Sequence, residues 1–145
     1  MRDTIERINV AVHDGIRLAR DRGRDTWRDL SVGMKMANRE GIEIPRARDG
    51  RLEGDCDDMT FTALSLAITA EASGYGANVP RDRLYCFIGM HEGEGHMVAA
   101  YEEAGVYWIF ADTLWPVVEP WNEGDFPLRL WWHLKDPITV WRRPI

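Results

Sequence analysis

The stretch GDCDDMTFTALSLAITAEA, residues 54–72, decides how this chain is expected to fold. From Met59 to Ala72 it is rich in Ala, Leu and Thr and nearly uncharged, and a helix that is apolar on most sides is typical of a protein interior. Asp55 is a good helix N-cap, and Asp58 three residues later resembles the second half of a capping box. The sequence therefore predicts a buried helix with a cysteine in its first turn.

Two further helices are predicted on the N-terminal side of this segment. Apolar residues recur at three- and four-residue steps from Ile5 to Ala19, which is the spacing of one buried helical face, and Gly23 is the expected stop. A second helix is predicted from Trp27 to Arg39. Residues 42–53 contain Pro, Asp and Gly without any period, so they are expected to form a loop.

After Pro80 the apolar period changes from that of helices to that of strands. The expected strands are Leu84–Met90, His96–Tyr101, Val106–Asp112, Leu128–Leu134 and Ile138–Arg142. Helices followed by consecutive strands predict an α+β fold in which N-terminal helices pack on an antiparallel β-sheet. We expect a single domain over residues 1–145.

Composition excludes several classes of protein. The chain is 45% hydrophobic and 29% charged, as globular proteins are, and it lacks the run of about 18 apolar residues that a membrane span needs. The excess of acidic residues lies in the second half, which is unlike a nucleic-acid-binding surface. No apolar signal segment follows Met1, so a cytoplasmic location is expected. The oligomeric state stays open.

Cys56 is the candidate nucleophile. The N–H groups and dipole at the start of a helix favour a thiolate, which is the reactive form of cysteine. The alternative is a small thiol that simply packs under the helix start. Cys86 alternates within a strand and is expected to be a buried packing residue, although a Cys56–Cys86 disulfide stays open.

A nucleophilic thiol needs a base, and the base needs an orienting group. His96 begins a predicted strand, which is a rigid place for a base. If Glu103, Ala104 and Gly105 form a three-residue hairpin loop, His96 lies directly opposite Asp112 on the next strand. The Asp112 carboxylate would then fix the imidazole tautomer and stabilise its cation.

Three blocks of sequence together resemble the bacterial transglutaminase-like cysteine proteinases. They are Gly-Asp-Cys-Asp-Asp at residues 54–58, Gly-Glu-Gly-His-Met-Val at residues 93–98, and Ala-Asp-Thr-Leu at residues 111–114. The resemblance implies a papain/transglutaminase-like core with Cys56 as nucleophile, His96 as general base and Asp112 as orienter. Thr113 stands where the family pattern has Asn.

The resemblance also implies a metal. In the best-known branch of this family, acids that flank the cysteine help to bind calcium, and the matching positions here are Asp55 and Asp57. Physical chemistry points the same way, because Asp55, Asp57 and Asp58 place negative charge around Cys56, and a bound divalent cation would reverse that balance. The chemistry itself requires no cofactor. The alternative is that the acids only cap the helix.

The first functional hypothesis is a thiol hydrolase, a cysteine peptidase or amidase, that acts on a protein or peptide substrate; transfer of the acyl group to an amine is chemically equivalent up to the acyl-enzyme. The second oxyanion donor stays open between Asn9, Asn38 and Trp27. The second hypothesis is a non-catalytic binding or assembly protein, encoded by a phage or mobile element, that retains the fold. A zinc site built from His91, His96, Cys56 and an acid is a third. Neither a nucleic acid nor a membrane is an expected partner.

Overall fold

The computed structural model describes residues 1–18, 52–91, 94–122 and 139–144. Its helices are α1 (Arg2–Gly15), α2 (Cys56–Ile68) and the short α3 (Ala70–Ser73), with a 3-10 turn at Arg81–Arg83. Within these ranges, no helix has the length and apolar character needed to cross a bilayer.

The strands form two sheets. The strands of the first, a small parallel pair, are β1 (Ile16–Leu18) and β2 (Leu52–Gly54). Those of the second are β3 (Leu84–His91), β4 (Glu94–Glu103), β5 (Val106–Phe110), β6 (Glu119–Trp121) and β7 (Thr139–Pro144). This second sheet is antiparallel, with strand order β6-β5-β4-β3-β7.

Helices α1 and α2 pack against one face of the antiparallel sheet. The alternation of β4 divides its side chains between two apolar clusters, as a pleated strand requires. Met97, Ala99 and Tyr101 join the helices in the larger cluster. Val98 and Ala100 point to the other face, where they meet Phe87, Tyr107, Ile109 and Trp121. The predicted α+β class, with helices on an antiparallel sheet, is therefore confirmed.

Helix α2 follows its sequence closely. It begins at Cys56 behind the N-cap Asp55, as predicted, and Gly74 ends α3 in the left-handed conformation at φ 81°. Leu64, Leu66 and Ala67 are fully or almost fully buried. The continuous apolar composition of this segment is thus explained by its position between α1 and the sheet.

Two expectations about the N-terminal half are wrong. Helix α1 ends at Gly15, and Ile16 begins β1 rather than continuing the helix. Leu52 and Glu53, expected in a loop, pair with Ile16 and Arg17 in the parallel ladder. Ile16 is buried in β1, as it would be on the inner face of a longer helix, so its apolar spacing did not distinguish a strand from a helix. The predicted helix Trp27–Arg39 and the predicted strand Leu128–Leu134 lie outside the described residues.

Candidate active site

Cys56 owes its position to the capping of α2. The Asp58 N–H donates to Asp55 Oδ1 at 3.5 Å, and the Asp55 N–H donates to Asp58 Oδ2 at 3.2 Å, which forms a reciprocal capping box. These bonds fix the first turn of the helix and place Cys56 at its first position. The Cys56 N–H is one of the helix-terminal donors that have no partner within the helix.

His96 lies in β4 with only 5% of its surface exposed. Its partner across the ladder on β3 is Gly89, which has no side chain to compete for space. The imidazole is hydrogen-bonded to Asp112, with 2.9 Å between His96 Nε2 and Asp112 Oδ1, and Cys56 lies near enough to the ring to raise the pKa of His96. The structure therefore brings the three predicted residues together.

The predicted register of the β4–β5 hairpin is wrong by one residue. The loop consists of two residues, Ala104 and Gly105, and Glu103 pairs with Val106. Both loop residues have positive φ, 51° and 79°, as a type I′ turn requires. If β5 continued regularly, its register would set Asp112 opposite Met97, so Asp112 and His96 would lie on opposite faces of the sheet.

His96 and Asp112 are in contact despite this register because β5 ends at Phe110, two residues before Asp112. Ala111 has φ 55°, a left-handed conformation that is uncommon for a residue with a side chain. This residue interrupts the strand alternation and lets Asp112 turn towards His96. Beyond it, the Leu114 N–H donates to Asp112 Oδ1 at 3.0 Å, and Asp112 forms an isolated bridge with Trp115.

The electrostatics of His96 favour its cation. Burial alone lowers the pKa of His96, but the hydrogen bonds and negative charges of Asp112 and Cys56 more than offset it and raise the pKa to about 9. At neutral pH the ring therefore carries a proton. A cation beside a cysteine is one of the settings that favour the nucleophilic form of the sulfur.

His13 approaches the same carboxylate from α1. Burial lowers the pKa of His13, while the charge of Asp112 opposes that effect. Its Nε2 is buried without a hydrogen-bond partner in the described part of the chain.

The acids beside Cys56 form a compact group of oxygen donors. Asp55, Asp57 and Asp58 each offer a carboxylate oxygen within 4.8 Å of the others, and Asp57 and Asp58 are buried. Hard oxygen ligands at this separation suit Ca²⁺. The capping box already uses one oxygen each of Asp55 and Asp58. The residues present therefore fit a calcium ion as a partial ligand set.

Asn9 was one of the residues proposed as a second oxyanion donor, and the structure gives it another task. Its side chain is 3% exposed. Nδ2 donates to the Pro116 carbonyl at 2.7 Å, and Oδ1 accepts the Ala111 N–H at 2.8 Å. Both ends of the amide are thus engaged on the backbone around Asp112. The other two candidates, Asn38 and Trp27, lie outside the described residues.

The two cysteines are separate. Cys86 is a buried packing residue with 1% exposure, as expected, and neither cysteine is in a disulfide, so the Cys56–Cys86 bond is not formed. The zinc hypothesis depends on the side chain of His91, which is outside the described part of the molecule.

The loop after Asp112 exposes three large apolar side chains. Leu114 is 46% exposed, Trp115 is 49% exposed and Val117 is 60% exposed. Trp121, by contrast, is buried in the second cluster. The surface next to the triad is therefore apolar, and nothing in the sequence spacing alone separated the exposed Trp115 from the buried Trp121.

Comparisons with known proteins do not identify the chain. No family model matches it, and no curated protein or solved structure gave a significant match.

Proposed function

We propose that this protein is a thiol hydrolase, a cysteine peptidase or amidase, that uses Cys56, His96 and Asp112 on a peptide or protein substrate. The single observation that carries the proposal is the buried hydrogen bond between His96 and Asp112, on a ring whose pKa is also raised by the nearby Cys56. A nucleophile, a base and an orienting carboxylate in this order are the working parts of amide cleavage by a covalent route.

The reaction divides the work among these groups. The Cys56 sulfur, whose proton has passed to His96, attacks the substrate carbonyl, and the Cys56 N–H donates to the oxyanion that develops. His96 returns the proton to the leaving amine, so the C–N bond breaks and a thioester remains. Water then attacks the thioester and releases the acid and the free thiol. An amine in place of water would give amide transfer from the same intermediate.

The triad also supports a finer description of the fold. We propose that α2 and the antiparallel sheet form a papain/transglutaminase-like core, because Cys56 stands at a helix N-terminus and His96 lies on β4. Asp112 follows the neighbouring strand, β5. The order Cys, His, Asp along the chain is the order in the resembling family.

The apolar loop surface supports a polypeptide substrate. Leu114 donates its N–H to the Asp112 carboxylate while its side chain is exposed, so an apolar surface begins within a few ångströms of the triad. Trp115 and Val117 extend it. Burying exposed side chains of this size against substrate residues would contribute binding energy close to the scissile bond. A cytoplasmic location stays a prediction.

Calcium assistance is proposed for the acids at the helix start. Asp55 and Asp57 would hold the ion, with Asp58 at the same cluster. Bound there, Ca²⁺ would supply positive charge that offsets the carboxylates around the Cys56 thiolate. The three-residue chemistry above requires no metal.

The experiment compares alkylation of Cys56 in four proteins, each in a Cys86→Ala background so that one thiol remains. They are the otherwise unchanged protein, His96→Gln, Asp112→Asn and the matched control Thr4→Val. The control removes the hydrogen bond that the Thr4 hydroxyl donates to the Ala77 carbonyl. We expect fast, pH-dependent reaction with iodoacetamide in the first and the control, and a loss of at least about tenfold in the two triad variants. Circular dichroism would check that each variant is folded.

Two outcomes contradict the proposal. Labelling of Cys56 no faster than that of a cysteine in the unfolded chain would leave the thiol without activation, and would favour the binding or assembly protein as the function. Fast labelling that is unchanged by His96→Gln would remove His96 as the base. Incubation with a peptide library and mass spectrometry would then identify the cleaved bond in an active protein.

A further inference from the structure

The amide of Asn9 joins α1 to the backbone on both sides of Asp112. It accepts the Ala111 N–H at 2.8 Å and donates to the Pro116 carbonyl at 2.7 Å. The two bonds are short, and Asn9 is only 3% exposed. Their backbone partners lie on either side of Asp112 in the sequence.

The bond to Ala111 acts at the residue where the strand turns. Ala111 adopts a left-handed conformation at φ 55°, which costs free energy and persists only where the surroundings hold it. Its N–H would be a buried donor without a partner if the amide of Asn9 were removed. Asn9 therefore stabilises the one backbone geometry that turns Asp112 towards His96.

The bond to Pro116 acts at the far end of the same loop. Within it, the Leu114 N–H donates to Asp112 Oδ1 at 3.0 Å, and the Trp115 N–H donates to the Asp112 carbonyl at 3.2 Å. These two bonds lie within the loop. Among the described hydrogen bonds, those of Asn9 are the ones that attach the loop backbone to α1.

We infer that Asn9 is a positioning residue for the triad, which holds the loop 111–116 so that the Asp112 carboxylate stays bonded to the His96 ring. The inference rests on the proposed function for its catalytic consequence. Asn9 is called a positioning residue because both of its hydrogen bonds go to backbone groups of the loop, so it acts on Asp112 through the loop.

The test uses the full chain with Asn9→Leu, which is close in size and has no polar atoms, and Asn9→Ser, whose hydroxyl is too short to bond both backbone groups. The matched control is Thr4→Val, which removes a buried hydrogen bond to the Ala77 carbonyl from the same helix, away from the loop. The readout is the pKa of His96, measured by NMR titration of ring-labelled histidine, with the signal assigned by His96→Gln.

We expect the pKa of His96 to fall from about 9 towards its ordinary value in both Asn9 variants and to stay unchanged in Thr4→Val. Alkylation of Cys56 at neutral pH should slow in parallel. An unchanged His96 pKa in a folded Asn9 variant overturns the inference, and so does an equal fall in Thr4→Val, because that would report general loosening of α1.

Failure of the proposed function is distinguishable from failure of this inference. A wild-type Cys56 that reacts no faster than an unfolded thiol contradicts the enzyme, whereas the His96 titration still measures whether Asn9 holds Asp112 in place. If Asn9→Leu does not fold, Asn9→Ser provides the same comparison.

Discussion

His96 and Asp112 are joined by a hydrogen bond of 2.9 Å although they are not paired in the sheet. The paired part of β5 ends at Phe110, opposite Ala99. The left-handed Ala111 that follows moves Asp112 out of the position that a regular strand would give it. The interaction therefore depends on a local interruption of the strand as well as on the sheet itself.

The charge on His96 should be visible in the choice of alkylating reagent. While the ring is protonated, the anionic iodoacetate gains an attraction that the neutral iodoacetamide lacks. We therefore expect the rate with iodoacetate, divided by the rate with iodoacetamide, to fall at Cys56 as pH rises through about 9, where His96 loses its proton. Asp112→Asn removes the main charge that raises the pKa of His96, so the fall should move to lower pH. A ratio independent of pH in the unchanged protein would contradict this prediction.

Stability should also depend on the protonation of His96. Its pKa is about 9 in the folded protein, against an ordinary value of about 6.5 in an unfolded chain, so the folded protein binds the proton more tightly. The stabilisation is complete below about pH 6.5 and is lost as pH rises through about 9. We expect the free energy of unfolding in urea to fall over that interval, and to fall less in His96→Gln. Equal slopes for the two proteins would contradict the raised pKa.

The conformation of Ala111 can be tested with two substitutions. Ala111→Gly removes a left-handed cost of about 1–2 kcal/mol but favours the unfolded chain by about 0.4–1 kcal/mol through its entropy, so stability should stay the same or rise by up to about 1.6 kcal/mol. Cys56 should remain reactive. Ala111→Val places a β-branched residue at φ 55° in a fully buried position, and should lower both stability and Cys56 reactivity. Urea unfolding and iodoacetamide kinetics provide the two measurements. Full reactivity in a folded Ala111→Val protein would show that the turn is not needed.

The hairpin turn offers a stabilising substitution. Ala104 is exposed and has φ 51°, and Asn is preferred over Ala before Gly in a type I′ turn. We expect Ala104→Asn to stabilise the protein by about 1 kcal/mol and raise Tm by a few degrees. Gly105→Ala is the opposite control, since a Cβ there meets no atom within 4 Å but φ is 79°. Thermal unfolding provides the measurement. If Ala104→Asn does not raise Tm or Gly105→Ala does not lower it, the type I′ turn is contradicted.

Calcium binding can be tested without a substrate. If Asp55 and Asp57 hold the ion, adding Ca²⁺ to chelator-treated protein should raise Tm, because a ligand that binds only the folded state stabilises it. Asp57→Asn should reduce the rise, and Mg²⁺ serves as the comparison ion. Glu119→Gln, which alters a carboxylate outside the cluster, should leave the rise unchanged. No change in Tm or in Cys56 labelling after addition of Ca²⁺ would remove the metal from the proposal.

Much of the scaffold was predictable from local chemistry. The capping box at Asp55 and Asp58, the buried α2 and the strands β3 and β4 all follow from patterns that lie within one element. Ile16 illustrates the limit, because a buried apolar side chain satisfies both a helix and a strand, and its partner Leu52 is distant in sequence. Only tertiary pairing decides between the two structures.

His96 and Asp112 are in contact as predicted, but the geometry that brings them together is not the predicted one. The prediction that Asp112 lies opposite His96 assumed a three-residue hairpin loop. In the structure the loop has two residues, Ala104 and Gly105. The contact is restored by Ala111, whose conformation no short-range pattern specifies. The bonds of Asn9 to that segment are equally invisible in the sequence, since they join positions that are 102 and 107 residues apart.

These long separations have a consequence for biosynthesis. The ribosome delivers α1 before the segment that Asn9 binds, because the two backbone groups lie 107 and 102 residues further along the chain. Contacts so distant along the chain close late in folding. A prematurely terminated product that ends before Ala111 therefore carries Cys56 without Asp112, and the proposed triad can assemble only after synthesis has passed Pro116.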